Sequence, residues 1–85
     1  MNDFRLKAFR KSALKASSVA KAMAKLAMKQ AHKYADNNSM LAIIEAGLDG
    51  AADYASDGPD EVFLRQMAYS VEAMRAKLIY KNLVA

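Results

Sequence analysis

The chain has 85 residues, 13 Lys and Arg against 9 Asp and Glu, a net charge of +4 and no cysteine. That length allows one domain with a small core, and the missing cysteine excludes disulfides, thiolate metal sites and a thiol nucleophile. The longest uncharged run, Asn37 to Ile44, falls far short of the ~18 apolar residues a membrane span needs.

Hydrophobic residues make up 54% of the chain, but 18 of them are alanine, so the large apolar side chains available to a core are few. With 26% charged residues and helical periodicity throughout, the class is globular and all-α; no strand pattern is present. The start of the chain lacks the unbroken apolar stretch of a secretory signal, and a reducing cytoplasm suits the composition. Charge is segregated by segment: residues 1–35 carry +8, residues 36–61 carry −7 and residues 62–85 carry +3. Blocks of opposite sign can pair with each other, within a chain or between chains.

The first helix is expected over about 4–35. Lysines recur every four residues in two runs, Lys7, Lys11 and Lys15, then Lys21, Lys25, Lys29 and Lys33. At ~100° per residue both runs fall on one side, and Arg10 joins them. Phe9, Ala16, Val19, Ala20, Met23, Leu26, Ala27 and Tyr34 form the opposing arc, which predicts an amphipathic helix with those residues inward. The ladder skips a step at Ser17-Ser18, where a bend would fit.

Asp36-Asn37-Asn38-Ser39 reads as a helix stop followed by a capped helix start. The second helix is expected over about 39–55, with Met40, Leu41, Ile43, Ile44, Leu48, Ala51 and Tyr54 on its apolar arc. Glu45, Asp49, Asp53 and Asp57 line its other face. Gly47, one turn from Ala51, suggests a closely approaching neighbour helix, and Asp49-Gly50 an early end or a kink.

Gly58-Pro59-Asp60-Glu61 combines a left-handed cap, a first-turn proline and two acids for a helix N-terminus. The third helix is expected over about 59–83. Leu64, Met67, Val71, Met74 and Leu78 form one apolar strip; Val62, Tyr69, Ala73, Ala76 and Tyr80 form a second. A small three-helix domain buries one such strip comfortably. Leu64, Met67, Val71, Met74, Leu78, Tyr69 and Tyr80 are therefore the expected protein-interface residues, and self-association is expected.

The chemical inventory argues against an enzyme. His32, the one histidine, lies among lysines with no acidic partner nearby, the serines have no nucleophile-elbow context, and three glycines make no phosphate loop. No cofactor and no metal are expected, because the acidic ladder lacks histidine companions. Met23, Met67 and Met74 stand at core spacing.

What remains is the basic stripe: Lys7, Arg10, Lys11, Lys15, Lys21, Lys25, Lys29 and Lys33. Lysine is a flexible point charge suited to phosphates, and backbone contact gives affinity without sequence choice. The preferred reading is a non-enzymatic protein that binds an RNA or DNA backbone. It would thereby inhibit or regulate an enzyme acting on that nucleic acid, in the manner of an antitoxin or of an anti-defence factor among phage accessory proteins. A second reading is a protein–protein module in which the lysine and acid stripes pair, within the chain or across an oligomer. A third is a membrane-surface helix, for which the alanine-rich apolar face is thin. A solvated surface helix is the reading without function.

Overall fold

A computed structural model of the chain describes residues 14–55 and 58–84. They form three helices and no strand: α1 over Ser18–Lys33, α2 over Asn38–Ala55 and α3 over Pro59–Val84. The element type, number and order match the sequence reading. Residues 4–13 of the expected first helix lie outside the described residues.

The single long first helix does not hold. Leu14 and Lys15 are helical, Ala16 bends, and Ser17 is extended at φ −66°, ψ 160°, where it caps α1. Its hydroxyl accepts a hydrogen bond from the Ala20 N–H at 3.1 Å, satisfying one of the donors a helix start leaves open. The break falls where the lysine ladder skips. At the other end, the Tyr34 N–H donates back to the Gln30 carbonyl at 2.9 Å. Asn37 then caps α2, its side-chain oxygen accepting from the Met40 N–H at 3.0 Å. Gly58, at φ +110°, makes the turn into α3, a conformation that favours glycine.

α2 and α3 are antiparallel partners. Their ion pairs step outward from the turn, Asp53 with Arg65 first, then Asp49 with Arg65 at 3.4 Å and Glu45 with Arg75 at 2.7 Å. α1 runs beside α3 in the same sense, because Ser17 meets Asp60 at one end and Ala35 lines a groove with Met74 and Leu78 at the other. The core is Leu41, Leu48 and Ala52 from α2, Phe63, Leu64, Ala68, Val71 and Leu78 from α3, and only alanines from α1. Met67 and Met74 pack against it.

The inward face of α1 is the main correction to the sequence reading. Ala16 and Ala20 are buried as expected and Ala24 and Ala31 join them, whereas Val19 and Leu26 are 67% and 63% exposed and Met23 is exposed too. These alanines, spaced four, four and seven residues apart, form the buried side of the segment, and Met28 of α1, partly buried, packs against the core beside them. Val19, Met23 and Leu26 are rotated outward. Two expectations for α2 also fail. The helix runs unbroken through Gly50, and nothing comes within 4 Å of a Cβ placed on Gly47, so no neighbour helix presses there.

Candidate nucleic-acid interface

The basic stripe survives as a surface. Lys21, Lys25, Lys29 and Lys33 all stand exposed on α1, at steps of ~6 Å along the axis, and Lys15 is exposed just before the bend. Lys7, Arg10 and Lys11 lie outside the described residues. His32, within the same arc, is exposed as expected. Among the described residues no lysine is ion-paired with a carboxylate; Lys33 instead lies 5.5 Å from the Tyr34 ring centroid, a cation–π contact.

The described acids of α2 are occupied elsewhere, so the lysine and acid stripes do not pair within the chain among the described residues. Arg65 reaches Asp49, Asp53 and Glu61 together, the last at 3.2 Å one turn before it on α3. Arg75 bonds Glu45 at 2.7 Å and the Asn38 side-chain oxygen at 3.2 Å. Asp53 foremost, then Glu61, hold the Arg65 guanidinium above its ordinary pKa, so that charge is permanent. A planar guanidinium can engage several carboxylate oxygens with fixed geometry, whereas an ammonium cannot. Asp57 lies outside the described residues.

A second polar junction was not legible in the sequence. Asp60, in the first turn of α3, accepts from both the backbone N–H and the hydroxyl of Ser17, each at 2.7 Å. These two bonds, the hydroxyl one first, pull the Asp60 carboxyl below its usual pKa. One carboxylate thus serves two helix N-termini, where negative charge is favoured. Ser17 and Asp60 each carry a local signal, a cap and a dipole match, but no pattern links residues 43 positions apart.

Beside the lysines runs the strip that sequence reasoning placed inside: Val19, Met23 and Leu26. It borders two open grooves, each of about 290 Å³, one between α1 and α2 and one that Asp60 and Leu64 of α3 also line; Tyr54, 93% exposed, stands on the far wall of the second. Of the expected interface residues, Leu64, Val71 and Leu78 are buried in the chain's own core with Met67 and Met74 against them, while Tyr69 and Tyr80 are exposed. Among the described residues no group of three His, Cys, Asp or Glu is placed to hold a metal, and no helix is long and apolar enough to cross a membrane.

Comparison with protein-family models, with curated proteins and with solved structures returns no significant match.

Proposed function

We propose that this chain is a non-enzymatic binding protein whose α1 lies against the phosphate backbone of RNA or DNA. One observation carries the reading: Glu45, Asp49 and Asp53, the acids that could have paired with the lysine ladder, are taken by Arg65 and Arg75, and among the described residues Lys15, Lys21, Lys25, Lys29 and Lys33 stand exposed without an ion pair. A row of ammonium groups on a rigid helix meets evenly spaced phosphates without reading bases. The exposed Tyr54 ring across the groove offers a stacking surface to an unpaired base. By covering the backbone, the protein would restrain an enzyme that acts on the same strand, as an antitoxin or a phage anti-defence factor does.

Fluorescence anisotropy with a labelled oligonucleotide, single- and double-stranded, at two salt concentrations tests this. With ~4 to 5 lysines engaged, log K should fall with log salt at a slope of roughly −3 to −5. A slope near zero, or no binding at low salt, overturns the reading. One observation favours a second reading: Val19, Met23 and Leu26 are exposed directly beside the lysines, the pattern of a helix lying in an anionic lipid surface. Co-sedimentation with anionic vesicles that persists at high salt, without oligonucleotide binding, would establish it instead.

A further inference from the structure

α3 carries two apolar faces, and the fold uses one. Leu64, Val71 and Leu78 are buried; on the other side Tyr69, Tyr80 and Leu83 remain 57%, 68% and 78% exposed. The outward residues are not scattered. Val62, Gln66, Tyr69, Ala73, Ala76, Tyr80 and Leu83 follow one another at intervals of four, three, four, three, four and three. That is a 3.5-residue period sustained for three heptads on a 26-residue helix. Any helix side offers positions at this spacing, but a solvent-facing one has no reason to fill them with Val62, Tyr69, Tyr80 and Leu83. A side that packs against another helix does.

We propose that this face is the seam of a parallel two-stranded pairing with a second copy of the chain. Its charges fit that partner and orientation. Counting Gln66, Ala73 and Tyr80 as one set of core positions, the residue just before each is Arg65, Glu72 or Ile79. The residue just after each of Tyr69, Ala76 and Leu83 is Ser70, Lys77 or Val84. In a parallel pair each residue of the first set faces the residue five further on in the partner helix. Glu72 then meets Lys77 of the other copy, twice by symmetry, and Ile79 meets Val84. In an antiparallel pair the same flanks face each other, so Glu72 would meet Ile79, and Lys77 would meet Ser70. Among the described residues neither Glu72 nor Lys77 has an ion-pair partner within its own chain, and both are exposed.

The seam also holds what sets a register. Gln66, half-buried at a core position, can exchange amide hydrogen bonds with its symmetry mate, and a single polar pair of this kind specifies alignment. Ala73 and Ala76 at the centre allow close approach, and Tyr69 and Tyr80 close the seam on either side. Two copies would bury roughly 1,000 Å² in total, counting the exposed parts of four tyrosines and the flanking apolar residues, the low end of specific interfaces. The dimer is therefore concentration-dependent. It leaves the α1 lysines uncovered, so loss of dimerisation and loss of nucleic-acid binding are separable.

Sedimentation velocity of the full chain from micromolar to near-millimolar concentration should show a monomer–dimer equilibrium. Lys77→Glu should weaken the dimer about ten-fold by replacing two attractions with two repulsions, and combining it with Glu72→Lys should restore it. The chain has no cysteine, so Ala76→Cys gives an unambiguous second readout. In the parallel pair it faces its own copy and cross-links under mild oxidation, whereas Ala22→Cys on the exposed side of α1 does not. All these positions are exposed, and unchanged helicity by circular dichroism confirms that the variants fold. A monomer at every concentration overturns the proposal. So does a dimer indifferent to Lys77→Glu, one that Ala76→Cys fails to cross-link, or one abolished by Leu26→Ser instead.

Discussion

Replacing Lys21, Lys25 and Lys29 together by Gln separates a lysine face that binds from one that holds the fold together. In the structure these side chains are exposed and make no ion pair, so their removal breaks no contact among the described residues. It does relieve three like-charge steps one turn apart, from 21 to 25, 25 to 29 and 29 to 33. Each such step costs ~0.2–0.5 kcal/mol at low salt, so the variant gains about 1 kcal/mol. Gln and Lys have nearly equal helix propensity, so no offsetting loss arises. For a domain of this size that gain lifts the melting temperature by roughly 4–8 °C, less in high salt. In the same protein the oligonucleotide should be lost, and any residual binding should show a salt slope shallower by about 3. Circular-dichroism melts and anisotropy on one preparation read both effects. A fall in melting temperature, recovered when Glu45, Asp49 and Asp53 are made basic and the three lysines acidic, would refute the reasoning. It would mean that the ladder is structural and that the arginine pairs are secondary.

Arg75→Gln should act oppositely, costing about 1–3 kcal/mol in chemical denaturation with no effect on oligonucleotide affinity, because it strands a Glu45 side chain only 16% exposed. Gly47→Ala and Gly50→Ala should each raise stability by up to about 1 kcal/mol, since each added Cβ meets open space within an uninterrupted helix, while Gly58→Ala, at φ +110°, should lower it by a similar amount. Asp60 has a folded pKa below its unfolded one, so the unfolded chain takes up the proton first and stability falls with pH. The loss should begin as pH drops toward the ordinary carboxylate value near 3.8 and be complete below the depressed folded value. The difference between wild-type and Asp60→Asn melts should shrink across that window and nowhere above it.

The later helix boundaries were legible because they rest on residues acting on their immediate neighbours. Asn37 and Gly58 each occupy a cap or turn and work as their types suggest, whereas Ser17, read only as the place for a bend inside a helix over about 4–35, ends that helix and caps a new one. The rotation of α1 about its axis was not legible. Hydrophobicity ranks Val19, Met23 and Leu26 above alanine and turns them inward. How α1 is turned when it seats on two other helices is a tertiary quantity, and it buries Ala24 and Ala31 beside the expected Ala20. The four-residue recurrence of alanine was the available signal, and it competes with the lysine recurrence in the same segment. The Ser17–Asp60 junction has no periodic signature, because it joins two helix ends that meet only once the bundle has closed.

The fate of the acidic ladder follows from a distinction the sequence does contain. Charge counting treats the lysines of α1 and the arginines of α3 alike, and the longer stripe then looks like the natural partner for Glu45, Asp49 and Asp53. Chemistry does not treat them alike. Holding carboxylates on a neighbouring helix at fixed distances favours a planar, weakly hydrated fork, and both described arginines, Arg65 and Arg75, take that place. The described lysines are all left to solvent. A strongly hydrated ammonium on a four-carbon stem suits a contact that shifts and re-forms along a flexible polyanion, and poorly suits a static bridge. Converting Arg65 and Arg75 to Lys conserves every charge, so it should loosen the α2–α3 pair while leaving oligonucleotide affinity unchanged. If melting temperature were unchanged by that double substitution, charge alone would suffice in the α2–α3 pair, and the division of work between the two basic residue types would have no physical basis here.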